Sequence, residues 1–290
     1  MSDNNCRSSE SPTADSCSSL SVDRLAGILS RLRMTAQVFH AGSLTEERDF
    51  TDSPHLHVLR IGQVQVKAEG SSHRVTAPAA ILLPRAAPHS ITPTDGVADL
   101  ASARIDLGGI ANPLAQALPP VQALDLQADS LGRRLNQVLD LLFAEAQQRH
   151  CGHQVVMDRL VEAALVLILR QAMEDARGIG LLAGLAHPQL AVALTAMHDR
   201  PGADWSLESL AETAGLSRSV FADTFHQVVG QPPGQYLTGW RMALARTALE
   251  RGESIKRVAR DIGYASPAAL SRAFSRHFGV NARTLIKSDR

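Results

Sequence analysis

Between Met34 and Leu107, apolar and polar residues alternate in short runs, and each run is bounded by Gly, Pro, Ser or Asp. The runs AQVFH, HLHVLRI, QVQVKAE, HRVTA, AAILLP, PHSIT and LASARIDL read as strands, and several of them have the period of two that exposes one face and buries the other. Seven such strands predict a small antiparallel barrel or jelly roll. Beyond Pro113, Pro119 and Pro120 the period lengthens. Leu131, Leu135, Val138, Leu139, Leu142 and Phe143 predict an amphipathic helix over 130–148. The stretch from Met157 to Met173 is apolar around more of its circumference, so this helix is expected to be buried under the barrel or against another subunit. Gly178, Gly180 and Gly184 then predict a flexible hinge before His187-Pro188.

From Ser206 onward one pattern is written twice. In SLESLAETAGLSRSVFADTFHQVVG, Leu207, Leu210 and Ala211 recur at helical spacing, Gly215 suits a left-handed turn, and Ser217 is an N-cap for a second helix. Val220, Phe221, Phe225 and Val228 are expected to face inward, with Arg218, Ser219, Ala222 and Asp223 outward. The second copy, ESIKRVARDIGYASPAALSRAFSRHFG, repeats this with Ile255, Val258, Ala259 and Ile262, then Gly263, then Ser266 as cap and Pro267 at the first helical position. Leu270, Phe274 and Phe278 are expected inward. Ala268, Ala269, Ser271, Arg272, Ser275 and Arg276 fall on or beside the open face. Two helices joined by a short Gly-containing turn describe a helix-turn-helix. A helical bundle with merely solvated arginines is the bland alternative, and two copies in register argue against it.

At these residues a resemblance becomes specific. The segment from about His187 to the C-terminus resembles the DNA-binding domain of the AraC/XylS family of bacterial transcription regulators, through GQPPGQYL (230–237), WRMALA (240–245), VARDIGYAS (258–266) and SRAFSRHFGV (271–280). The chain departs from the family's usual ending, with Asn281-Ala282 and Leu285-Ile286 in place of Ser-Pro and Tyr-Arg. The resemblance implies a connecting helix from Pro233 to about Leu249, roughly 27 Å long, that sets two recognition helices into successive major grooves about 34 Å apart. Candidate DNA-binding residues are Arg218, Ser219, Ala222, Asp223, Ser266, Ala268, Arg272 and Arg276. Arg272 is the best placed to read guanine, and Asp223 can accept from cytosine N4. HLHVLRIG followed by ILLPRAAPHSI similarly resembles the cupin-type sensor domain of such regulators. The expected fold is therefore α+β in two domains: a cupin-like antiparallel β-barrel (20–128) with a helical connector (129–184), then an all-α domain (187–290) with two helix-turn-helix motifs. The implied function is transcription regulation controlled by a small effector. The implied partners are double-stranded DNA, RNA polymerase, an unidentified effector and, through the connector helices, a second copy of the chain.

Composition adds a few bounds. Formal net charge is zero over 290 residues, but the two parts differ. From His187 onward, 13 Lys and Arg face 9 Asp and Glu, and the remainder carries the opposite excess. No apolar run reaches the ~18 residues of a membrane span, and no secretion signal opens the chain, so a cytoplasmic location is expected. Residues 1–19 are rich in Ser, Asn and Asp and are expected to be disordered. Cys6, Cys17 and Cys151 are too scattered for a disulfide framework or a zinc module. Cys6 and Cys17 read as free thiols in the tail, and Cys151 as buried or inert.

His55 and His57 share one strand face, with His89 further on. They can be read as effector-pocket residues or satisfied core histidines, the preferred reading, or as a metal site. No acidic ligand follows at cupin spacing, where Val64, Val66 and Lys67 stand, and no cofactor is expected. The rival function is a metal-dependent cupin enzyme fused to a DNA-tethering domain. A purely architectural DNA-binding protein fits poorly with a separate pocket-forming domain.

Overall fold

The computed structural model describes residues 23–285, apart from 33, 52, 110, 111, 128, 129 and 177. The predicted tail, with Cys6 and Cys17, lies outside the described residues. The alternating runs fold as nine strands: β1 (Thr35–Leu44), β2 (Arg48–Phe50), β3 (His55–Ile61), β4 (Gln63–Ala68), β5 (Ser71–Thr76), β6 (Ala79–Leu83), β7 (His89–Pro93), β8 (Ala98–Asp106) and β9 (Gln122–Asp125). They pair into a five-stranded sheet ordered β1-β8-β3-β6-β9 and a four-stranded sheet ordered β2-β7-β4-β5, every ladder antiparallel. The pattern anticipates seven of these strands. β2 and β9 are too short to display a period.

The larger sheet is covered on both faces. Leu59, Ile81, Leu83 and Leu100 meet Val64, Val66 and Ile91 of the smaller sheet inside the barrel. Leu56, Val58, Ala80, Leu82, Ala101 and Ala103 face a layer of helices instead. That layer contains α3 (Ser130–Gln148), where the apolar spacing predicts a helix, and α4 (His153–Glu174), which begins four residues before the predicted start. Met157, Val161, Leu165, Ile168 and Leu169 of α4 are buried within this chain. Side chains of α4 also occupy the outer edge of β1. Asp158 Oδ1 accepts from Val38 N at 2.8 Å, and Gln154 Nε2 donates to Val38 O at 2.8 Å. An edge with its backbone groups so engaged has little left to offer a foreign strand.

Two short helices escape the pattern, α1 (Ala26–Leu32) and α2 (Pro113–Ala117). The predicted hinge needs correction. Gly184 lies inside α5 (Leu181–Ala186), because Leu181, Leu182 and Leu185 give that segment a buried apolar face. A Cβ on Gly184 would stand within 3 Å of Leu194 and Val229 side-chain atoms.

The remaining helices are α6 (Pro188–Asp199), α7 (Leu207–Thr213), α8 (Arg218–Val229), α9 (Pro233–Glu250), α10 (Ile255–Asp261), α11 (Pro267–Phe278) and α12 (Ala282–Leu285). Barrel and helical domain meet along α1 and the turn after β8. The Arg24 guanidinium donates to Leu185 O at 3.0 Å, Arg251 to Leu32 O at 3.3 Å, and Thr247 Oγ1 to Gly108 O at 2.9 Å. One apolar cluster runs unbroken from Val38 and Leu56 through Leu169 and Leu185 to Trp240 and Phe274. Among the described residues no helix is long and apolar enough to cross a membrane.

Candidate functional site

The two copies fold alike. Gly215 at φ 65° and Gly263 at φ 82° make the left-handed turns that other residues resist. After each glycine the chain folds back by the same bond, Leu216 N to Ala211 O and Tyr264 N to Ala259 O. Ser217 Oγ then accepts from Val220 N at 3.5 Å and Ser266 Oγ from Ala269 N at 3.1 Å, capping α8 and α11. Phe221, Phe225, Leu270 and Phe274 are buried, so the opposite faces of both helices are open. Between the modules α9 forms one continuous helix of 18 residues.

With Ser217 aligned on Ser266, Ser219 matches Ala268, Asp223 matches Arg272 and Gln227 matches Arg276. Arg218, Ser219, Asp223, Ala268, Arg272 and Arg276 are exposed, whereas Ala222 and Ser266 are half-buried. The Ser266 hydroxyl is engaged as a cap, and Arg218 is held by Glu208 of α7 at 2.9 Å. Val220 corrects the expected inward set, for it is 49% exposed. Phe221 and Phe225 fix the buried direction, and the preceding residue lies about 100° round the helix. Val229 takes the inward place and Val228 is half-buried, as is Ala269. His226 and Gln227 are also exposed on α8, and Lys256 on α10. Helical angle alone would have identified the first two.

The structure brings His55, His57 and His89 together inside the barrel, with ring centroids 5.1 to 5.5 Å apart. Each offers a ring nitrogen within 4.8 Å of the others. Phe50 of β2 stacks on His89 at 5.0 Å and meets His57 edge-on at 4.6 Å. The hydrogen bonds fix the tautomers. His89 Nδ1 donates to Ala87 O at 2.9 Å, so its Nε2 is an acceptor; His57 Nε2 donates to it at 2.9 Å, and His57 Nδ1 accepts from the Ser102 hydroxyl at 2.9 Å. Burial is the main cause holding all three imidazoles below their ordinary pKa. His55 falls to about 4, with His89 and Arg104 adding repulsion, and His57 lies well below its usual value.

Three neutral imidazoles suit a first-row divalent metal, and the Nδ1 of buried His55 has no hydrogen-bond partner among the described residues. His57 could present its Nε2 lone pair to such an ion by moving its proton to Nδ1, because the Ser102 hydroxyl can accept as well as donate. The donor set therefore fits a metal, although no carboxylate joins it among the described residues. Sequence reasoning missed Phe50 and Ser102, which carry no motif. Cys151 is exposed in the turn between α3 and α4, and is not buried. The polar ends of that hairpin leave nothing to cover it.

A barrel with a polar centre is joined to a pair of helix-turn-helix modules. Residues 23–174 match the family described as Cupin and residues 210–288 the one described as Helix-turn-helix domain. The chain belongs to the cupin family over its N-terminal half, and its C-terminal part matches a helix-turn-helix domain. It is 37% identical over 171 residues to a Streptomyces lividans protein described as an AraC-like transcription regulator, covering 58% of this chain and 56% of that one. It is 33% identical over 172 residues to the HTH-type transcriptional regulator AlkR of Acinetobacter baylyi, with the same coverage of 58% and 56%. A solved DNA-binding domain of AdpA, in complex with a target DNA, is 31% identical over 33% of this chain and 87% of that chain, with a TM-score of 0.31. The chain spans about half the length of the curated relatives it matches.

Proposed function

We propose that the protein binds double-stranded DNA through α8 and α11 and that a small effector in the barrel controls this binding, without catalysis. The observation that carries the reading is the pair of capped helices, alike in register and open on one face, at the two ends of α9. Full-length protein selecting from a pool of random duplexes tests it. A selected site should be preferred roughly a thousandfold over unselected DNA; equal affinity for both would leave an architectural binder. RNA polymerase as a partner belongs to the same proposal. A second copy of the chain would use the outer face of the α3–α4 hairpin, where Leu141 and Val155 are exposed, and sedimentation across a dilution series reads that directly.

The histidine geometry favours a second reading of the signal, in which the species sensed is a metal ion held by His55, His57 and His89. Titrating Zn2+ into tag-free protein should raise its melting temperature with one-to-one stoichiometry, and His57→Ala should abolish the rise. An unchanged melting temperature would return the cluster to an organic effector.

A further inference from the structure

The two modules share a register but not a charge. Glu208, Glu212 and Asp223 outnumber Arg218 in α7 and α8, a net of −2 with histidines neutral. Lys256, Arg257, Arg260, Arg272 and Arg276 outnumber Asp261 in α10 and α11, a net of +4. Pairing sharpens the contrast. The single arginine of the first module is held by Glu208. In the second, Arg257 is engaged by Glu253 and Asp261, and Arg260 by Asp261. Lys256, Arg272 and Arg276 are exposed and have no ion-pair partner among the described residues. At the aligned place on the open face, the first module has Asp223 and the second Arg272.

Phosphate contacts supply the sequence-independent part of DNA affinity by releasing counterions, and only a cation can make that contribution. The second module has three such groups available. The first has none until Arg218 leaves Glu208, and it carries Asp223 towards a polyanion. In a major groove that carboxylate is best matched by cytosine N4, which donates without the N7 acceptor that adenine sets beside its own amino group. Val220, exposed on the flank of the same helix, offers an apolar surface and no hydrogen bond.

Resting on the proposed DNA binding, we propose that the modules divide the work. The second grips the backbone through Lys256 and Arg276 and supplies the affinity. The first is a filter that accepts DNA presenting cytosine beneath Asp223 and opposes other sequences. A merely solvated acidic face would instead be indifferent to the charge at Asp223.

The test titrates full-length protein onto a fluorescent duplex of random sequence between about 50 and 200 mM salt. Asp223→Ala, at an exposed position, should tighten this non-specific binding several-fold. Arg276→Ala should weaken it and flatten the slope of log affinity against log salt by about one, while Arg218→Ala, which loses an arginine already held by Glu208, should flatten it less. In selections from the random pool, wild type should enrich a cytosine that Asp223→Ala and Asp223→Asn no longer enrich. The proposal is overturned if Asp223→Ala leaves random-duplex binding unchanged or weaker, or if Arg218→Ala flattens the slope as Arg276→Ala does. Wild type that binds no duplex overturns the DNA-binding reading along with this one; binding with indistinguishable variants overturns the division alone.

Discussion

Arg272 is the residue of the second module from which a contribution to sequence preference is expected. Exposed on α11 and without an ion-pair partner among the described residues, its guanidinium can address guanine with two hydrogen bonds. Arg272→Ala should cost about 1–3 kcal/mol at a selected site and relax preference at one base pair. Equal losses on selected and random duplexes would make it a phosphate contact instead. His198 makes a different prediction. It is buried against Trp240, and the Tyr236 hydroxyl donates to its Nε2 at 2.5 Å. Burial lowers its pKa to about 3, against about 6.5 unfolded. The folded state therefore holds this imidazole neutral, and its contribution is complete above about pH 6.5. It is lost as pH falls from there towards 3, at up to about 1.4 kcal/mol per pH unit. Urea unfolding at pH 7 and pH 5 should show a smaller acid loss in His198→Leu than in wild type, and identical losses would contradict the assignment. None of this environment was legible beforehand, since His198 carries no motif. His55, His57 and His89 were legible because period two puts the first pair on one face. Ser102, which holds His57, was not. Removing it in Ser102→Ala should cost about 1–3 kcal/mol by stranding a buried ring nitrogen, as denaturant titration would show.

For whole elements, legibility followed length and repetition. The longer strands declare themselves by alternation, and the tandem Gly-then-Ser pattern places both recognition helices and their caps. Ser266→Ala should accordingly cost about 1 kcal/mol of stability, read as a lowered urea midpoint with an unchanged slope. The shortest elements were invisible for physical reasons. β2 has three residues, so it shows no period, yet it delivers Phe50 to the histidines. α1 contains Gly27, which reads as a helix breaker. In the fold a Cβ there would stand 3.1 Å from the His198 Cβ and closer still to the Asp199 carboxylate, so tight packing on α6 explains the residue. The three glycines from 178 to 184 suggested looseness, but Gly184 is small for the same kind of reason.

Across the whole molecule, the barrel reaches the helix between the helix-turn-helix modules through a short chain of contacts. Ser102 touches the histidine cluster from β8. The same strand ends at Asp106, whose carboxylate accepts from Gly108 N at 2.7 Å, and Gly108 O accepts from Thr247 in the last turn of α9. A signal that displaces β8 thus has a direct mechanical route to the helix between the modules. Gly108→Ala tests how closely this turn packs on α1, because the new Cβ would lie 2.7 Å from Leu32 Cβ and 2.8 Å from Leu32 O at a φ of 84°. Such strain should destabilise the fold by roughly 1–3 kcal/mol, visible in thermal melts, and a neutral result would show that the interface yields.

The unbroken apolar cluster across barrel and helices also bears on how the protein comes apart. Heating should give a single calorimetric peak, with enthalpy scaling to the full length rather than to either half. Severing the chain after Ala186 would strip the partners from Leu190 and Leu194 and turn that oily seam towards water. The liberated DNA reader would then be a poor cassette for grafting onto other proteins, prone to clump unless its bare flank were redesigned.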